Sequence, residues 1–140
     1  MKRFLILFAC AVLCMSCGVL RNMKSGYAHT EWTGVYKIFV ADAGTETVTV
    51  TMSFGATMYT MVEKSVMPSY PAPVVKPDGT IDTLPGFSRE NTRQGTYKVK
   101  GDEIILHQSD GTVHTLRPVS GRLESDDLGF QKIVFEKKGA

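Results

Sequence analysis

The side chains that could do chemistry in this chain are its histidines, methionines and carboxylates, with three cysteines near one end. His107 and His114 flank Asp110-Gly111. A two-residue turn at Asp110-Gly111 would set the two imidazoles opposite one another, half of a metal site, but it would also turn Thr115 and Arg117 toward the core. A three-residue loop, Ser109-Asp110-Gly111 with Gly111 left-handed, is the other common connection. It pairs Leu106 with His114 and Ile104 with Leu116, leaves Thr115 and Arg117 in solvent, and buries more apolar surface. This second register is the expected one; it puts His107 and His114 on opposite faces, so no metal site is expected. Met52, Met58, Met61 and Met67 could offer thioethers to Cu(I). Alternation sends Met52 and Met61 inward and Met58 outward, so packing is the simpler account of them. The carboxylates (Asp42, Glu46, Glu63, Asp82, Glu90, Asp102, Glu103, Glu124, Asp126 and Asp127) are scattered, and no pair demands acid–base work. There is no Gly-x-Ser-x-Gly elbow, phosphate loop or dinucleotide fingerprint. The reading is a protein that is not an enzyme, with no catalytic residue and no cofactor.

All three cysteines, Cys10, Cys14 and Cys17, fall in the first 17 residues. Lys2 and Arg3 precede an unbroken apolar run of 12 residues, Phe4 to Met15. A spanning helix needs roughly 20 residues, so the run fits the apolar core of a signal peptide. Ser16-Cys17-Gly18 follows, a small residue before a cysteine, as lipoprotein processing requires. The box Cys14-Met15-Ser16-Cys17 is relaxed; Leu7-Phe8-Ala9-Cys10 has a better-looking box but too short an apolar lead. Residues 1–16 are therefore expected to be a lipoprotein signal peptide and Cys17 the lipid-attachment residue, carrying diacylglyceryl and a third acyl chain such as palmitate. An ordinary secretory signal or an uncleaved interfacial anchor is the alternative. Two or more acyl chains hold a protein on a bilayer, each buried methylene contributing about 0.8 kcal/mol.

The whole chain carries 16 basic and 14 acidic residues, and without Lys2 and Arg3 the two are balanced. The basic excess belongs to the leader, which gives no reason to expect a nucleic-acid partner. Gly18 stands where an aspartate would mark inner-membrane retention, and residues 18–24 hold no acidic cluster. The expected location is the cell envelope, lipid-anchored in the outer membrane and facing the periplasm.

Positioning falls to strands. Residues 17–30 are polar and aperiodic and read as a tether; residues 31–140 read as one all-β domain. No stretch keeps apolar residues at helical spacing for three turns. Short alternating runs separated by glycine-containing turns predict a small antiparallel β-barrel of about eight strands. In Thr47 to Phe54, Val48, Val50, Met52 and Phe54 alternate with hydroxylated residues, and a two-residue turn at Gly55-Ala56 would pair Met52 with Tyr59 and Val50 with Met61. Thr33 to Val40, Gly95 to Lys100, Glu103 to Gln108, Thr112 to Val119 and Lys132 to Lys137 supply further strands, the last placed to pair near the first. Residues 65–93 hold five of the six prolines and read as an insertion, since each proline removes a ladder donor. Val74-Val75 and Ile81 could form a hairpin around Pro77-Asp78-Gly79. A segment this long is a lid or contact surface, or a mobile insertion. Candidate binding residues are Trp32, Tyr36, Tyr59, Tyr97 and His114 at the interior or its rim, and Glu63 at a barrel mouth.

Trp32-Thr33-Gly34, Val40-Ala41-Asp42-Ala43, Glu46-Thr47, Gly95-Thr96-Tyr97, Gly101 to Leu106 and Gly121-Arg122-Leu123-Glu124 with Gly129 together resemble the N-terminal domain of NlpE-type lipoproteins. That family opens with an aromatic-x-Gly strand, then a Cys-Ala-Asp-Cys turn and a Thr-rich strand. The resemblance covers about 100 residues, Trp32 to Ile133, and implies a lipocalin-like or OB-like barrel behind a lipobox cysteine. Val40 and Ala43 stand where the family has its turn cysteines, so the family's copper handling does not carry over. The function expected is a non-catalytic envelope lipoprotein contacting another envelope component. The alternatives are a lipocalin-like binder of a small apolar molecule, or a metal or envelope-stress response protein.

Overall fold

A computed structural model describes residues 21–22, 24–129 and 131–139. Cys17 and the leader lie outside these described residues. Among the described residues no helix is long and apolar enough to cross a membrane.

Ten strands follow one another: β1 (Thr30–Val40), β2 (Gly44–Phe54), β3 (Met58–Met67), β4 (Tyr70–Val75), β5 (Ile81–Leu84), β6 (Phe87–Lys100), β7 (Glu103–Gln108), β8 (Val113–Val119), β9 (Arg122–Ser125) and β10 (Ile133–Lys137). Eight of them close an antiparallel barrel in the order β1-β10-β9-β8-β7-β6-β3-β2, and β4 and β5 form a separate two-stranded sheet. The last strand returns to the first through Trp32↔Lys137 and Gly34↔Phe135. Closure removes the sheet edges wherever it is complete.

The alternation that predicts the strands is the alternation that fills the barrel. Trp32, Tyr36, Val48, Val50, Met52, Phe54, Tyr59, Met61, Tyr97, Ile104, Leu106, Leu116, Leu123, Ile133 and Phe135 are buried in one cluster. A barrel of about eight strands is just wide enough for its own side chains to fill it. Gly34 shows how tight the fit is: a Cβ there would meet Ile133 Cγ2 at 2.7 Å and Phe135 Cδ1 at 3.1 Å.

Three expectations are corrected. The β2–β3 connection is longer than two residues: Phe54 pairs with Tyr59 and Met52 with Met61, and the Gly55 N–H donates to the Met58 carbonyl at 2.8 Å. Because the shift is by two residues, every side chain keeps its face. The folded region starts before Trp32. A helical turn that includes Arg21, Asn22 and Lys24 docks on one barrel end, where the buried Asn22 amide donates to the carbonyls of Ala56 (3.0 Å) and Tyr97 (3.3 Å). The proline-rich departure is also shorter than residues 65–93. The β3–β6 ladder runs unbroken from Met58↔Thr96 to Met67↔Phe87, so only residues 68–86 leave the wall. They form the β4–β5 arm, with the hairpin pair Val75↔Ile81.

Successive turns alternate between the two ends. The helical turn, the β2–β3 turn, Gly101-Asp102 and Ser120-Gly121 lie at one end; the β1–β2 turn, the arm, the β7–β8 turn and residues 126–129 and 131–132 lie at the other. The first end is closed by aromatic packing: Phe54 and Tyr97 meet edge-on at 4.8 Å, and Tyr27 lies 6.2 Å from Trp32. The second end is where the walls come apart.

Candidate functional site

β6 is 14 residues long, but β7 covers it only from Gly95↔Gln108 to Lys100↔Glu103. Gly95 sits where cover ends; a Cβ there would run into the His107 carbonyl, so glycine allows the two backbones to approach before they part. Beyond it a cleft of about 770 Å³ opens, lined by Asn91, Thr92, Arg93 and Gln94 of β6 and by Gln108, Ser109, Asp110, Thr112 and His114 across from them.

The far wall is a rigid turn. Gly111 takes the left-handed conformation, φ 91°, and the register is Leu106↔His114 and Ile104↔Leu116, the three-residue loop expected. The Gln108 N–H donates to the Thr112 carbonyl at 2.8 Å, and the Ser109 N–H pins the turn to β6 through the Gln94 carbonyl at 3.0 Å. Asp110 accepts from the Thr112 N–H at 2.9 Å and from the Gln108 side-chain amide at 2.6 Å. Hydrogen bonding from Thr112 and Gln108, with the Arg93 charge nearby, holds the Asp110 carboxyl below the usual range. Gln108 Oε1 is buried without a hydrogen-bond partner.

A charged layer adjoins the cleft on the inner face of the long strands. Glu46, 5% exposed, accepts from Arg89 Nη2 at 3.0 Å. Arg93 Nη2 lies 3.9 Å from Glu63 Oε2, beyond hydrogen-bonding distance. The Arg89 guanidinium also stacks 5.0 Å over the Phe87 ring. Tyr36 faces this layer; burial first, then the Glu63 and Glu46 charges, raise its phenol, while Arg93 and Arg89 oppose them.

Of the six residues singled out from the sequence, His114 lines the cleft, and Tyr36 and Glu63 belong to the adjoining charged layer. Tyr59 lies in the core, its hydroxyl buried and unpartnered, with its phenol raised by burial and by Asp110 against the opposing Arg93. Trp32 and Tyr97 sit at the other end. The Trp32 indole donates to Thr30 Oγ1 at 2.8 Å, and the Tyr97 hydroxyl to the Gly55 carbonyl at 2.8 Å. The structure therefore does not bring the six together: Trp32 and Tyr97 close one end while His114, Tyr36 and Glu63 gather at the opposite mouth. His107 faces out, away from His114. His114 is buried, with Nδ1 3.7 Å from Asp127 Oδ1. Among the described residues no group of three metal-ligating side chains converges.

Sequence reasoning missed Arg89, Asn91, Arg93, Gln108 and the Glu46–Arg89 pair. The signal was available: Arg89, Asn91 and Arg93 continue the inward parity of Gly95 and Tyr97. The prolines between residues 68 and 85 hide it.

The arrangement offers hydrogen-bond donors and acceptors, two guanidiniums and a fixed turn. Such groups can hydrogen-bond polar ligands and pair with an anion. No family model, curated protein or solved structure matches the chain.

Proposed function

We propose that this chain is a non-catalytic envelope lipoprotein, anchored through Cys17 to the outer membrane, whose barrel offers its open mouth to another envelope component. The observation that carries the reading is the asymmetry of the barrel. The end next to the N-terminal segment is plugged by Asn22, Trp32, Phe54 and Tyr97, whereas the opposite end is open, polar and charged. A chain anchored at Cys17 has four residues between anchor and barrel end, a reach of about 14 Å, which keeps the plugged end near the bilayer and the mouth away from it. The NlpE-type resemblance agrees with an anchored barrel, and it lends no metal chemistry because Val40 and Ala43 replace the turn cysteines. An apolar ligand in the lipocalin manner is less favoured, since the interior positions are occupied by Tyr59, Tyr97, Phe135, Met52 and Met61.

Two measurements test the reading together. Palmitate labelling of cells should mark the full chain and vanish in Cys17→Ala. Chemical cross-linking of intact envelopes should give a defined adduct that Arg93→Glu abolishes. Palmitate-free wild-type chain, or adducts indifferent to Arg93, would overturn it.

A further inference from the structure

The wall of the cleft made by β6 is also an unpaired strand edge. In an antiparallel strand, successive residues direct their backbone groups to alternate sides. The Tyr97 N–H donates toward β3 at the Thr57 carbonyl, 3.0 Å, and the Gln94 carbonyl accepts from Ser109 on the other side, 3.0 Å. Odd-numbered residues of β6 therefore bond β3, and even-numbered residues face away from it. Beyond Gln94 that outer side has no partner strand among the described residues. The N–H and C=O groups of Ser88, Glu90 and Thr92 are thus free, in residues exposed on both faces. The stretch holds no proline and no bulge, two of the devices with which proteins blunt an edge; its charges, Arg89, Glu90 and Arg93, guard it against a like-charged strand.

We propose that the free edge of β6, Phe87–Gln94, is a strand-addition site for an extended peptide segment of another protein, with an acidic residue seated opposite Asn91. This deepens the partner reading of the mouth and rests on it. Strand addition takes affinity from main-chain bonds and specificity from alternate side chains. An added antiparallel strand would bond Ser88, Glu90 and Thr92 and point the residue opposite Asn91 into the mouth. Its diagonal neighbours there are Arg89 and Arg93, about 7–8 Å away between Cα atoms. Arg93 makes no side-chain hydrogen bond among the described residues, and Arg89 uses one nitrogen on Glu46. Both retain donors for a carboxylate.

A second copy of this chain is a poor occupant. Pairing β6 with itself so that even-numbered residues bond even-numbered ones allows three central registers. They set Glu90 against Glu90, Arg89 against Arg93, or Arg89 against Arg89. Like charges directly opposite destabilise a ladder.

The test uses the full chain in detergent and three blocked seven-residue peptides. The first is Thr-Val-Thr-Glu-Thr-Val-Thr, the second has lysine for its glutamate, and the third is the first N-methylated at alternate amides. Amide exchange read by NMR should slow at Ser88, Glu90 and Thr92 with the glutamate peptide and remain unchanged with the N-methylated one. Thr92→Pro removes an N–H that β3 does not use and should weaken binding about tenfold, as one backbone hydrogen bond implies. Arg93→Gln keeps the strand and should narrow the preference for the glutamate over the lysine peptide. Unchanged exchange at those three amides with millimolar peptide, or equal binding of the glutamate and lysine peptides, would overturn the proposal. So would slowing that depends on protein concentration without peptide, which would mean a second copy. An envelope adduct at the mouth without amide slowing sinks strand addition alone; amide slowing without any envelope adduct sinks the partner reading alone.

Discussion

Tyr59 and Tyr97 stand on adjacent strands of the barrel wall, both almost fully buried, and differ in one bond. The Tyr97 hydroxyl donates to the Gly55 carbonyl; the Tyr59 hydroxyl has no partner. A buried polar group left unsatisfied costs about 1–3 kcal/mol, and a neutral hydrogen bond contributes about 1 kcal/mol. Tyr59→Phe should therefore raise the free energy of unfolding by about 1 kcal/mol, and Tyr97→Phe should lower it by a similar amount. Urea denaturation of the two variants checks the sign. The same residues set an alkaline limit. Burial, first among the causes, raises the phenols of Tyr27, Tyr36, Tyr59 and Tyr97. A group raised on folding contributes stability that is fully present below its unfolded pKa, about 10 for tyrosine, and lost as pH rises through the folded value. The urea midpoint should hold steady to about pH 9 and fall above about pH 10, with a shallower fall in Tyr59→Phe. A midpoint independent of alkaline pH would contradict the burial of these phenols.

At the scale of elements, the long strands and the arm behave differently. The β4–β5 sheet pairs with no strand of the barrel, and the ladder already ends at Met67↔Phe87. Replacing residues 68–86 by a short turn should leave the barrel folded, with a stability change within about 1 kcal/mol, because loop closure depends only weakly on length. Far-ultraviolet circular dichroism and a thermal scan would show it; loss of the barrel signal would mean the arm supports the wall. The strands themselves were legible because one apolar face alternates with one polar face. Thr47 to Phe54 gave its face correctly even though the Gly55-Ala56 turn was set two residues short, since a shift by two preserves parity. The proline cluster hid the rest. Phe87 to Gln94 carries no apolar alternation, because its inward positions are Arg89, Asn91 and Arg93, and a polar strand does not announce itself by periodicity. β9 was obscured for a related reason: at four residues it shows only Leu123 and Ser125 inward, too few to establish a period.

For the molecule as a whole, polarity along the barrel axis matters more than the barrel. One end is closed by Asn22, Trp32, Phe54 and Tyr97, and the other opens into the cleft between β6 and the Gly111 turn. Closure of β10 on β1 was legible in the parity of Ile133 and Phe135. The asymmetry was not, because it depends on where β7 stops covering β6, a matter of strand length and of the close approach at Gly95 rather than of any motif. His114, a candidate binding residue of the interior or its rim, lies in the cleft wall beside Asp127. Parity places Glu63 at a mouth, and its neighbour Arg93 comes from an adjacent strand about 30 residues away in sequence, brought near by the folded register.

The central claim is that an anchored barrel meets its partner with the mouth. A photo-reactive amino acid placed at Thr92 or Thr112, on the cleft, and at Val119 or Asp102, at the plugged end, puts the question to intact cells. The account predicts a discrete protein adduct from the two cleft positions and none from the plugged end. Adducts confined to Val119 and Asp102, or absent from all four positions, would contradict it.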